Sequence, residues 1–170
     1  LTLLEDHLRT HRFLMGSRPG ASDFGFFGQL TQLVQFDPTP MAVAVAHAPR
    51  VCGWVAVTED LSGLEPTDGD WLAADTLPDS LPDTLRALLA EVGQLYVPLL
   101  LANARALAAG QTELQTHIKG TIWVQQTFAY QAKCLAWLRR DYAALPAPAR
   151  ATVDRILAGT GCEALFGDLP

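Results

Sequence analysis

The stretch FLMGSRPGASDFGFFGQ, Phe13 to Gln29, puts a Gly/Pro break between two apolar segments and sets one acid, Asp23, before a glycine-dotted aromatic run. Upstream of the break, Leu1, Leu4, Leu8 and Met15 recur at helical spacing, with Glu5, Asp6, Arg9 and Arg12 between them. That spacing predicts the end of an amphipathic helix over Leu1–Met15, and Gly16 stands where a C-terminal cap is expected. Downstream, a second helix is expected from Ala21 to Phe36, carrying Phe24, Phe26, Phe27, Leu30, Leu33 and Val34. A helix with no charged face reads as a buried central one. Gly25 and Gly28, each costing about 1 kcal/mol against alanine in a helix, are then explained by close approach of a neighbouring helix. Asp23 lies three residues after Gly20, where a capping-box acid folds back onto the first amides of its own helix. Gly20 lacks the reciprocal hydroxyl, so Ser22 is the other candidate cap, of a slightly shorter helix.

Working outward, Pro38 ends this helix. Thr39 followed by Pro40 reads as a cap and first-turn pair for a short helix to His47. Pro49 breaks the chain again, and residues 50–61 read as a helix carrying Val51, Trp54, Val55 and Val57. Residues 62–80 read as an acidic loop, with Gly63, Pro66, Gly69 and Pro78 as punctuation and with Trp71 and Leu72 able to dock it. Ser80, Pro82 and Asp83 signal a further helix start. That helix is expected to run to about Ala109, kinked at Pro98 and closed by Gly110. Alternation in residues 113–126 about Lys119-Gly120 predicts a small hairpin. A helix over 128–145 follows, with Tyr130, Cys134, Trp137, Leu138 and Leu145 on its apolar side. Residues 146–149 read as a linker, and 150–158 as a last helix closed by Gly159. The expected fold is an all-α bundle of about seven helices with at most one hairpin, in a single domain. No βαβ unit and no glycine-rich phosphate loop is seen.

The chain has 170 residues, 49% hydrophobic and 18% charged, which suits one globular domain with a substantial core. The longest uninterrupted apolar run, LYVPLLLA at 95–102, is far short of the roughly 20 residues that span a bilayer, so no membrane helix is expected. No signal-peptide pattern opens the chain, and a helical pattern already under way at Leu1 suggests a fragment or part of a longer protein. A net charge of −6 argues against a nucleic-acid partner. The acidity is local: eight acids and no Lys or Arg lie between Glu59 and Asp83, and the rest holds 12 bases and 10 acids. Cys52, Cys134 and Cys162 are odd in number and widely spaced, which points to a reducing, cytoplasmic setting and not to a disulfide framework or metal knuckle.

Few residues offer chemistry. Asp23 as a general acid or base lacks a partner group, so the capping role is preferred. His7 and His11, four apart, make half of a metal site with no third ligand at recognisable spacing. Cys134 beside Lys133, and Cys52 near Trp54, read as small buried residues, since neighbours one apart on a helix point in different directions. Tyr96, Asn103, Trp123 and Tyr130 are polar or aromatic groups in apolar surroundings, as a substrate pocket would have and as a core would too. No catalytic residue and no metal set is assigned.

The ordered string LEDHLRTHRFLMGSRPGASDFGFFGQLTQLVQFDP (Leu4–Pro38), followed by APRVCGWVAVTED (Ala48–Asp60), resembles the C-terminal helical domain of the glutathione S-transferase superfamily. The likeness covers residues 1–60, with 61–81 as the acidic loop and 82–170 as an extended tail. That family caps its central helix with Ser/Thr-x-x-Asp, from which Gly20 departs. The resemblance implies that the whole protein binds glutathione through an N-terminal thioredoxin-like domain absent from these residues. It also implies a homodimer, and a chain that supplies the hydrophobic-substrate wall and part of the dimer surface without catalysing alone. The alternative is a non-catalytic module that uses the same helical fold for protein assembly.

Overall fold

In the computed structural model, which describes residues 1–73 and 77–167, the chain is mostly helical with one two-stranded antiparallel sheet. It divides into two compact units, residues 1–77 with 82–85, and residues 78–81 with 86–170.

The first unit holds α1 (Thr2–His7), α2 (Ala21–Thr31), α3 (Pro38–His47) and α4 (Pro49–Glu59). The helix expected over residues 1–15 is cut to six residues. It stops there because the following main chain is bonded by distant side chains. His7 Nε2 reaches Phe13 O at 3.3 Å, Trp54 Nε1 donates to Arg12 O at 3.1 Å, and Leu14 N donates to Asp23 Oδ1 at 2.9 Å. Phe13, fully buried, packs edge-on against Trp54 with ring centroids 6.5 Å apart. Gly16 is not a helix cap: at φ 135° it bridges Phe13 and Trp71.

The helix from Ala21 ends at Thr31, and one turn of π-helix carries it to Phe36, the expected limit. Its expected burial is not found. Only Asp23, Leu30 and Val34 are buried, Phe24 is 52% exposed, and a Cβ on Gly25 or Gly28 would meet nothing within 4 Å. The cap of α3 is Asp37, whose Oδ1 accepts from Thr39 N at 3.0 Å, with Pro38 in the first turn. It replaces the expected Thr39–Pro40 pair because Pro38 already fixes the first-turn φ and a carboxylate precedes it.

α4 starts at Pro49 without a cap of its own. Glu5, brought from α1, supplies one: its carboxylate accepts from Arg50 N at 2.8 Å, Val51 N at 3.1 Å and Arg50 Nη1 at 2.9 Å. Free first-turn amides and the positive end of the helix dipole explain why an acid is stable there.

The acidic segment docks on the turn before α2, as Trp71 and Leu72 suggest. Ser17 N donates to Asp70 O at 2.7 Å and Leu72 N to Met15 O at 2.8 Å, while the Arg18 guanidinium lies 4.6 Å above the Trp71 ring. A side chain at Gly16 would prevent this, because its Cβ would collide with Asp70 O, and one at Gly20 would crowd the Trp71 ring at 3.1 Å. Residues 74–76 of the expected loop lie outside the described residues. The loop also contains a short helix, α5 (Leu77–Ser80), so Ser80 is the last residue of one helix, three before the start of the next; the expected cap role of its side chain lies outside what is described.

α6 (Asp83–Ala108) runs unbroken through Pro98. Its apolar residues are interspersed with only a few charges, so by length and composition alone it is apolar enough to cross a membrane, a property that core helices share. Inside the second unit it acts as the spine. Val97 and Leu100 pack with Leu135, Cys162 and Leu165, and Ala102 and Ala106 pack with Leu114. At Gly93 the turn at Thr160–Gly161 comes so close that a Cβ would lie 2.0 Å from Thr160 O.

The hairpin forms as expected, β1 (Glu113–Ile118) pairing antiparallel with β2 (Thr121–Gln126). Its turn residues Lys119 and Gly120 both have positive φ, 47° and 80°, as a twist-matched two-residue turn requires.

α7 (Ala129–Ala144) follows, but its expected apolar side faces out: Tyr130, Trp137 and Leu138 are exposed, and Leu135 is the residue buried. α8 (Ala147–Leu157) begins inside the expected linker. The tail continues into a 3₁₀ turn, Cys162–Phe166, which Arg139 holds through Leu165 O at 2.6 Å and Gly167 O at 2.9 Å.

Candidate functional site

In the second unit, the four expected pocket residues separate by role. Asn103 is fully buried and clamps the backbone at the entry to α7: Nδ2 donates to Phe128 O at 2.9 Å and Phe128 N donates to Oδ1 at 2.7 Å. Both ends of its amide are used, so it holds the chain and not a ligand. Trp123, 46% exposed on β2, donates its indole N–H to Gln125 Oε1 at 2.9 Å.

Tyr130 belongs to an exposed aromatic ladder along α7. Its ring lies 6.4 Å from Phe128 and 6.2 Å, edge-on, from Trp137, over which Lys133 Nζ sits at 4.8 Å. Tyr96 is on α6, seven residues before Asn103. Partial burial, and secondarily the neighbouring Cys134, push its phenol above the ordinary value. A phenol shifted in that direction stays protonated at neutral pH.

Clefts of about 570 and 280 Å³ open in this unit at residues 110–115 and between the end of α6 and β1. None of Tyr96, Asn103, Trp123 or Tyr130 lines them. Cys134, expected buried, is half-buried, as is Cys52. Cys162 is the buried thiol; it donates to Leu89 O at 3.2 Å, and burial raises its pKa, which makes it an inert core residue.

In the first unit three buried titratable side chains, Asp23, His7 and Glu5, are held by hydrogen bonds. Asp23, fully buried, accepts from Gly20 N through Oδ2 and from Leu14 N through Oδ1, both at 2.9 Å. Gly20 is therefore the cap residue, and Ser22, exposed, is not. The carboxylate is half of a capping box plus a tie to the preceding segment, with both oxygens committed.

His7 is likewise fully buried. A carbonyl can only accept, so Nε2 carries the proton toward Phe13 O and Nδ1 accepts from Thr84 Oγ1 at 2.8 Å. Burial lowers its pKa and keeps the ring neutral. His11 stacks on it at 4.5 Å. Both His7 nitrogens are engaged within the chain, and among the described residues no group of three His, Cys, Asp or Glu is placed to hold a metal. Glu5, expected only as part of a solvated helix face, is the acid that sequence reasoning missed. Burial raises its carboxyl, but the Arg50 side chain and the two amides outweigh that and leave it below the ordinary value.

Comparison with family models, curated proteins and solved structures finds no match to the chain.

Proposed function

We propose that these residues form the C-terminal helical domain of a glutathione S-transferase-like protein. The observation that carries this reading is Asp23 folded onto the Gly20 amide at the start of α2. It stands within the ordered run from α1 through the Gly/Pro turn to the Pro-started, Trp-bearing α4. On this reading the thiol chemistry belongs to a thioredoxin-like domain outside these residues, which binds glutathione. The chain supplies an apolar wall and a dimer surface, the assembly is a homodimer in the cytoplasm, and these residues alone do not catalyse. The test is the sequence of the natural protein upstream of Leu1, checked by intact mass. A thioredoxin-like domain with a usable Tyr, Ser or Cys supports the reading, and a natural protein without one overturns it.

The exposed face of α2 favours a second reading, a non-catalytic assembly module. Phe24, Gly25 and Gly28 stand open on a helix with no Lys or Arg, and such a face suits a protein partner. A natural protein with no usable thiol-activating residue supports this reading.

A further inference from the structure

A cleft of about 460 Å³ in the first unit, bordered by the turn after α1 and by α4, brings together Leu8, His11, Arg12, Arg50, Gly53, Trp54 and Val57. Three of these are basic or titratable as bases, in a chain whose net charge is −6. Their charge is only partly spent. Arg50 gives Nη1 to Glu5 at 2.9 Å, a carboxylate that already holds two amides. Arg12 has no ion pair among the described residues, and its guanidinium lies 5.5 Å from the Phe13 ring centroid. His11 uses Nδ1 with Thr10 Oγ1 at 2.9 Å, and its Nε2 has no hydrogen-bond partner among the described residues.

Leu8, Trp54 and Val57 make the apolar side of the cleft, and Gly53 adds no side chain to it. Gly53 stands in the middle of α4, where glycine costs about 1 kcal/mol against alanine, and a Cβ there would meet nothing within 4 Å. A side chain at this position would therefore extend into the open cleft.

We propose that this cleft binds a small organic anion with an apolar body: the carboxylate is held by Arg12 and Arg50, and the body lies over Gly53 between Leu8, Val57 and the Trp54 edge. Guanidinium donors match a carboxylate in geometry, and the aromatic and aliphatic floor selects against inorganic anions. The inference does not depend on the transferase reading, since it uses only the first unit's own side chains.

The test uses naphthaleneacetate as probe and the corresponding neutral alcohol as control, titrated into the protein and followed in nitrogen–proton correlation spectra. Saturable shifts are expected at the Trp54 indole N–H and the Gly53 amide, with the alcohol at least tenfold weaker. Arg12→Gln, an exposed position whose backbone contact is kept, weakens the probe about tenfold, the worth of one charge-assisted bond. Gly53→Leu fills the floor and abolishes binding while helix propensity keeps the fold, checked by its melting curve. Equal binding of acid and alcohol, an unchanged affinity in Arg12→Gln or Gly53→Leu, shifts confined to other residues, or no saturation in the unmodified protein would each overturn the proposal.

Discussion

Replacing Asp23 with alanine removes more than a helix cap. A lone N-terminal cap is worth about 0.5–2 kcal/mol. Here the same carboxylate also holds Leu14 N, nine residues away, and it is fully buried. The substitution strands two main-chain donors, Gly20 N and Leu14 N, of which the second is buried. An unsatisfied buried donor costs about 1–3 kcal/mol, so the expected loss is roughly 2–5 kcal/mol. The desolvation of the acid itself is recovered in part and keeps the loss toward the lower half of that range. Against a total stability of about 5–15 kcal/mol, this is a large fraction. Asp23→Asn keeps one acceptor oxygen and sets an amide NH₂ against the other donor, so it is expected to fall between the parent and Asp23→Ala. Urea unfolding followed by circular dichroism, with unchanged slope, gives the difference from the midpoints. A loss below about 1 kcal/mol for Asp23→Ala would refute the two-bond reasoning and reduce Asp23 to an ordinary surface cap.

Other outcomes follow from the same geometry. Gly93→Ala drives a Cβ to 2.0 Å from Thr160 O; a rigid carbonyl must move, and a loss of about 1–3 kcal/mol or more is expected in urea midpoints, with Gly53→Ala neutral or stabilising as control. Asn103→Ala frees both Phe128 groups and is expected to cost about 2–4 kcal/mol and to speed amide exchange at the start of α7, while leaving the hairpin register in place. Stability is expected to fall with acid in two stages. His7 binds its proton less readily when folded than at its ordinary 6.5, so the unfolded chain gains protons first as pH drops below about 6.5, and stability falls from there. Glu5 lies below its ordinary 4.5 when folded, so its contribution is present above about 4.5 and is lost as pH falls through its lower native value. Urea midpoints taken across that range check both stages, and His7→Gln should flatten the upper one.

What the sequence made legible was local. The hairpin turn at Lys119-Gly120 and the position of Asp23 three residues after Gly20 are short-range signals, and both are found in the structure. Breaks at Pro38 and Pro49 are found too, each one residue inside its helix rather than before it. The parts that were not legible depend on partners far along the chain. Glu5 caps α4 across 45 residues, Asn103 clamps Phe128 across 25, and the turn at Thr160 meets Gly93. The early end of α1 has the same origin, because Trp54 and Asp23 take main-chain groups that a longer helix would have paired. Apolar composition misled in one respect: α2 and α7 are rich in aromatics, yet Phe24, Tyr130 and Trp137 are exposed. Periodicity identifies an apolar face, but it does not tell whether that face is covered by the same chain or by another.

The most direct test of the proposed transferase reading is the rate of glutathione conjugation to chlorodinitrobenzene, measured for these 170 residues and for any longer natural protein that contains them. On that reading the 170 residues alone give no glutathione-dependent turnover, and a longer protein carrying a thioredoxin-like domain gives measurable turnover. Turnover by the 170 residues alone, or none by a full protein that carries a thioredoxin-like domain with a usable Tyr, Ser or Cys, would contradict it.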